Sequence, residues 1–415
     1  MAITTPGSAI LTVRTITLRQ LCLIFLKIGF TGFGPAYVAE AKKHFVQRSA
    51  WLSNEDFVNG LALAQLLPGA TYVSFTVYIG YKLRGIAGAI ICFFAFLLPP
   101  FSIMVLLSYL YFTYGSIPAV GILFKGLEVV VAGLVAHAVI EIGKTAVTDW
   151  PGIVIAALAA GIMLYSANIF VLLLVAALAG ILVYQRPLKD QRSVSPPESA
   201  RPKAAIAGTS GRRIIGFAAM FAVGLAAIIC AVAGKPILLQ LGWVFFRMGA
   251  LLFGGGFSMI PFIQQEVVTH YQWLLFDEFA VGIALGQVTP GPILITATFV
   301  GYKVAAVSGA VAATLGIFLP SLFWVITTAE MHQKIRHNIF VKSAIKGIAA
   351  AFAGMILLVA IGLVRHAFFN FSAIGVALVT FGAFRLSKLD TPWVLSGGTI
   401  LYWLISMYFV FTAVD

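Results

Sequence analysis

The stretch Gln65-Leu66-Leu67-Pro68-Gly69 is written a second time as Gln287-Val288-Thr289-Pro290-Gly291. Its surroundings recur with it. Phe25-Leu26-Lys27-Ile28-Gly29 answers to Phe245-Phe246-Arg247-Met248-Gly249, and Phe33-Gly34 to Phe253-Gly254. Trp51 answers to Trp273, Asp56 to Glu278, and Gly80-Tyr81-Lys82 to Gly301-Tyr302-Lys303. Further on, Leu98-Pro99 matches Leu319-Pro320 and Lys125-Gly126 matches Lys346-Gly347. A repeat whose spacing holds over so long a stretch is an internal duplication. The fold turns on its two Pro-Gly breaks, since proline removes a backbone donor and glycine permits conformations closed to other residues.

Composition sets the solvent of these breaks. The 415 residues are 61% hydrophobic and only 10% charged, with a net charge of +13 and a mean hydropathy of +1.01. No soluble core hides that much apolar surface, so the chain is an all-α polytopic membrane protein. The positive charge lies mostly in short loops, which is the bias of cytoplasmic loops and not a nucleic-acid footprint. Cys22, Cys92 and Cys230 stand in separate apolar segments with no metal spacing and no disulfide framework. Residues 1–13 lack the pattern of a signal peptide.

Residues 54–84 provide 31 positions for two helical pieces around Pro68-Gly69, where two full crossings need about 40. A re-entrant hairpin is therefore expected there, as in the first broken unit, where apolar residues 17–35 end in Gly32-Phe33-Gly34-Pro35 before an amphipathic stretch with Lys42, Lys43, His44 and Arg48, and in the second copy at 238–268 and 274–303. Crossings follow at about 86–112, 119–143, 150–167 and 169–185, and again at 306–329, 345–365, 370–384 and 391–412. Four units result: an N-terminal repeat at 1–185, a flexible basic cytoplasmic linker at 186–213, a linking transmembrane helix at 214–235 and a C-terminal repeat at 236–415.

Loop charge orients the copies. The loop 113–118 has no charge, whereas its counterpart 330–342 holds Lys334, Arg336 and Lys342. The segment 36–56 carries Lys42, Lys43 and Arg48, whereas 258–278 has no Lys or Arg. Opposite bias in equivalent loops implies inverted-topology repeats, with the N-terminus inside and Asp415 outside. Arg365 alone falls against the pattern.

Half-helices that start at such tips aim unpaired N–H groups and a positive dipole end at the membrane centre, a ready site for an anion. The candidate binding residues are Gly34, Pro68, Gly69, Gly254, Gly255, Pro290 and Gly291 at the tips, with Gln65 and Gln287 as amide donors beside them. Lys27 and Arg247, duplicated cations in apolar segments, would supply charge; the competing reading is that they snorkel to the interface. Glu128, His137 and Glu141 share one crossing and are candidates for proton coupling, against simple pairing of the carboxylates with Lys125 or Lys144.

With both copies of these patterns in view, the chain resembles long-chain, two-repeat members of the chromate ion transporter family. The resemblance covers nearly all of the chain outside the linker. Copy one departs from copy two in having Pro35 after Gly34 and Ala70 after Gly69. The resemblance implies a secondary transporter that exports chromate across the bacterial inner membrane on the proton-motive force, with a sulfate transporter of the same fold or an anion channel as alternatives. A membrane-embedded enzyme such as a chromate reductase would need a redox centre, and with no ligand cluster or dinucleotide fingerprint in the sequence no enzyme, cofactor or metal is expected. The expected partners are chromate, or sulfate as its mimic, membrane lipid and a second copy in a homodimer, with no nucleic acid.

Overall fold

The computed structural model describes residues 16–165, 168–194, 234–253, 256–328, 339–367, 371–387 and 389–412. The tip glycines Gly254 and Gly255, and the expected linking helix except for its last two positions, lie outside the described residues. So does the expected linker beyond Val194.

In copy one, α1 (Leu18–Thr31) starts in a capping box between Thr17 and Gln20 and ends at Gly32. Then α2 (Pro35–Lys42) begins with proline in its first turn and continues as a π-helix over Lys43–Arg48. Next, α3 (Asn54–Leu66) is capped by the Ser53 hydroxyl. The helix α4 (Thr71–Tyr114) is bent at Arg84 and Gly85. There follow α5 (Pro118–Ala146), α6 (Trp150–Leu164) and α7 (Ile169–Val194), the last running on beyond residue 185, into the segment expected as a flexible linker.

Copy two repeats the series. It has α8 (Pro236–Leu251), a 3-10 turn at Gly256–Ser258, and α9 (Met259–Ile263), continued as a π-helix over Gln264–His270. After α10 (Phe276–Val288) and a 3-10 turn at Ile293–Ile295 comes α11 (Thr296–Thr328), bent at Ala305 and Ala306. It closes with α12 (Ile339–Ala367), α13 (Phe371–Leu386) and α14 (Thr391–Thr412). Among the described residues, four stretches are long and apolar enough to cross a membrane: Thr71–Tyr114, Pro118–Ala146, Ile293–Thr328 and Ile339–His366.

The broken units are hairpins. If α3 and the first arm of α4 ran end to end, Asp56 and Lys82 would stand more than about 30 Å apart at 1.5 Å per residue. Instead Lys82 Nζ lies 3.1 Å from Asp56 Oδ1. The equivalent pair in copy two, Lys303 and Glu278, is 2.6 Å apart. Both ends of each unit therefore lie together, and the Pro-Gly break is the tip. Beyond each hairpin the chain reverses sharply into a crossing arm. Gly80 sits so close to the Gly88 carbonyl, and Gly301 to that of Gly309, that a methyl group at either would overlap it.

The copies are inverted. The start of α5 lies beside α14, where Trp403 donates to the Ala119 carbonyl at 3.1 Å. Its end lies beside α13, where Arg385 reaches Glu141 at 3.3 Å. The start of α12 reaches the α5–α6 turn, where Lys346 is 2.5 Å from Asp149. The end of α12 reaches the start of α10, where His366 stacks on Phe276 at 4.2 Å. The end of α4 shares that second face, with Phe112 against Tyr302 and Phe299. One face of the molecule thus holds Glu141, Asp149, Lys346 and Arg385, and the other holds Phe112, Phe276, Tyr302 and His366. Since α5 and α12 are equivalent helices running opposite ways, the two repeats have inverted topology.

The copies also exchange helices. Among its partners, α5 packs on α13 and α14 of the other copy, and α12 packs on α6 and α7 of the other copy. Gly133 fits against the Ala377 carbonyl, Gly126 against Thr399, and Gly347 against Ala176 and Gly180. Small residues let backbones approach closely where lipid provides no hydrophobic drive. At the centre the two sets of tips meet. Gly69 N–H donates to the Leu252 carbonyl at 2.8 Å and Gly291 N–H to the Gly32 carbonyl at 3.0 Å, two equivalent bonds from opposite copies.

Gly69 has φ +117° and Gly291 has φ +102°, a region costly for any side chain. A methyl group at Gly69 would also overlap the Ser321 hydroxyl, and one at Gly291 would press on Pro100. Gly69→Ala and Gly291→Ala are each expected to cost about 2 kcal/mol or more, measured as a lowered melting temperature in detergent. The reverse holds at the bends. Ala306 has φ +49° where copy one has Gly85 at φ +64°, so Ala306→Gly is expected to stabilise by about 1 kcal/mol.

Candidate functional site

Where the tips meet they leave a cavity of about 950 Å³. Its floor comes from both copies: Gly34 and Gln65 of one, Gln287 and Gly291 of the other. Its walls are Val38, Ala39 and Lys42 on α2, the start of α4 at Ala70–Tyr72, and Pro292–Leu294. Asp390, Thr391 and Pro392, at the start of α14, complete it.

The sequence forces helix starts into this space. No side chain caps α4, α2 or the turn at Ile293. The first N–H groups of a helix have no partner within it, so an α4 start on the cavity wall presents donors and a positive dipole end. One such donor is already used: Ala70 N–H goes to the Ser321 hydroxyl at 3.0 Å. Gln65 is exposed to the cavity. Gln287 is only 7% exposed, and its Nε2 has no hydrogen-bond partner. A buried amide donor left unpaired costs about 1–3 kcal/mol.

Gly34, Gln65, Gln287 and Gly291, all expected at the site from sequence, are brought together. Pro68, Gly69 and Pro290 form the tips without lining the cavity. Neither Lys27 nor Arg247 lines it. On α1, Leu21, Phe25, Ile28 and Gly29 are buried. At 3.6 residues per turn Lys27 therefore falls on the outward face with the exposed Leu23 and Phe30. Arg247 is occupied elsewhere, 3.5 Å from Glu266 and with its guanidinium 4.6 Å above the Phe170 ring.

The cation in the cavity is Lys42, which makes no ion pair with a described residue. Sequence reasoning assigned it to loop charge. Its absence of a basic counterpart in copy two was the available signal. Glu128, His137 and Glu141 also lie away from the cavity. Glu141 is bound by Lys144 at 2.9 Å and by Arg385, and not by His137.

Among the described residues, the positions of copy two equivalent to the cavity wall are packed. The turns Phe45–Leu52 and Val267–Leu274 carry the same backbone bond, which makes Val38, Ala39 and Lys42 equivalent to Ile260, Pro261 and Gln264. Ile260 and Pro261 are buried, and Gln264 Oε1 is buried without a partner. Pro392, one residue into α14, is equivalent to Phe170 in α7. There Phe170 packs edge-on against Phe262 at 5.2 Å, and Phe262 lies 6.5 Å from Phe352 of α12. The α9 arm thus rests on α12, while α2 packs on α1 and its own π-helical extension.

A chromate transporter family model matches the chain twice, over residues 19–181 and 239–403. A chromate transport protein of Cupriavidus metallidurans is 29% identical over 405 residues, 96% of each chain. One of Pseudomonas aeruginosa is 30% identical over 344 residues, 81% of this chain and 79% of the relative. An uncharacterised transporter of Methanocaldococcus jannaschii is 31% identical over 361 residues, 86% of this chain and 87% of the relative. No solved structure matches. Two inverted helical repeats meeting at a donor-lined cavity, each matched by the same family model, place this multi-pass membrane protein in the chromate transporter family.

Proposed function

We propose that the chain exports chromate from the bacterial cytoplasm by alternating access, with the cavity as its inward-facing entrance. The observation that carries this reading is a cavity between inverted repeats, lined by Lys42 and Pro392, whose described equivalents in copy two, Gln264 and Phe170, lie in packed protein. The face of Asp149 and Lys346 also bears Lys82, Lys144 and Arg385, and the cavity mouth shares it through Asp390. The opposite face bears Lys125, Lys235, Lys303 and Arg365, fewer than the first face once Lys43, Arg48, Arg84 and Lys342 are counted with Lys82 and Lys346. Positive residues favour the cytoplasmic side, which supports a cytoplasmic mouth, and we take the membrane to be the bacterial inner membrane.

Export fits the energetics. Moving one charge through 100 mV is worth about 2.3 kcal/mol. A dianion leaving a negative interior therefore gains about 4–5 kcal/mol per 100 mV. The proton-motive force can thus drive export through its electrical part, whatever the role of protons.

In inside-out vesicles, chromate uptake is expected to saturate, to be inhibited by sulfate of the same shape and charge, and to fall when the membrane potential is collapsed. Uptake that is linear in concentration would make the protein a channel, and uptake confined to right-side-out vesicles would reverse the direction.

The packed contact of Phe170, Phe262 and Phe352 is the outer gate of this reading. In a cysteine-free background, Ala39→Cys should react with an impermeant maleimide in inside-out vesicles. Ile260→Cys should resist the same reagent in right-side-out vesicles and become reactive when chromate turns over. Phe262→Ala should make Ile260→Cys reactive without chromate. Equal labelling of Ile260→Cys in all conditions would remove the gate.

A further inference from the structure

We infer that Lys42, Gln65 and Gln287, with the first turn of α4, form the seat of a tetrahedral oxyanion, and that Lys42, alone among the described residues, supplies its compensating charge. The inference rests on the transport reading and names the groups that would perform it. Its first support is Gln287. This side chain is more than nine-tenths buried, lines the cavity, and has an amide nitrogen with no acceptor in the protein. Polar groups at membrane depth are satisfied within the protein, so an unpaired donor on a side chain that lines a cavity points to an acceptor that comes and goes. The second support is its equivalent, Gln65, which enters the same cavity from the opposite copy. An anion between them would accept from both copies at once.

The third support is charge. Lys42 is the only Lys or Arg among the described residues that line the cavity, and Asp390 is the carboxylate at its mouth. Two fixed cations were expected from sequence, one from each copy. A single flexible ammonium suits a carrier better, because binding must be strong enough to load and weak enough to release. The rest of the dianion's charge is met by the amides and by the dipole end at Thr71 and Tyr72, which hold anions without a formal charge.

The test uses the full-length protein purified in detergent, with sodium chromate and sodium sulfate as probes and chloride at equal ionic strength as control. Calorimetric titration and ligand-dependent melting are both recorded for the wild type and for Lys42→Met, Lys42→Arg and Gln287→Met. Lys42→Met and Gln287→Met are each expected to weaken both oxyanions tenfold or more, and Lys42→Arg to retain most of the affinity. Without anion, Gln287→Met should melt at the wild-type temperature or above it, because an unpaired buried donor has been removed; a purely structural glutamine would give a lower value. Wild-type protein that transports chromate while both methionine variants keep its apparent affinity would overturn the seat and leave the transport reading standing. Wild-type protein that neither binds nor moves either anion would overturn both.

Discussion

Backbone that leaves helical geometry inside a membrane must find its hydrogen bonds within the protein. Here the two reciprocal bonds from Gly69 N–H to Leu252 and from Gly291 N–H to Gly32 meet that demand across the copies. Each break is completed by the other repeat. The positive φ of both glycines, the hairpins that deliver them, and the close packing of α4 on α11 are conditions for making this pair of bonds. The cavity follows from the same constraint, because tips held together by backbone leave their side chains and helix starts facing the space beside the junction.

The junction also records how the copies diverged. Ala70 has an N–H and finds the Ser321 hydroxyl. The equivalent Pro292 has no N–H, and the residue equivalent to Ser321 is Pro100, which has no hydroxyl. Either change alone would strand a buried polar group or waste one. Made together they keep both sides satisfied. The same pairing of differences marks the mouth, where Lys42 and Pro392 border a cavity while Gln264 and Phe170 lie in packed protein. Divergence at equivalent positions therefore lets a symmetric scaffold be unequally occupied on its two faces.

Much of this was legible in the sequence, because duplication, helix length and loop charge are one-dimensional signals. Hairpins could be read at 54–84 and 274–303 because the segments are too short for two crossings, and inversion could be read from the swap of charge between 36–56 and 258–278. What was hidden is the direction in which a side chain points. Lys27 and Arg247 are equivalent in sequence, yet one lies on the outward face of α1 and the other is held between Glu266 and Phe170. Lys42 sat among loop cations, and only the return of α2 beside the tips turns it towards the cavity. The exchange of α5 and α12 between copies left no periodicity to read, since both neighbours of such a helix are equally apolar.

That exchange bears on how the chain is made. During synthesis α5 emerges before α13 and α14 exist, so the face that will receive them must wait in lipid or against temporary neighbours. The same is true of α6 and α7 until α12 arrives. Neither half can reach its native arrangement alone, and the segment joining them acts as a tether that raises the local concentration of one half around the other. Assembly is thus a late, closing event near the end of translation, and each ribosome delivers both partners in one-to-one ratio.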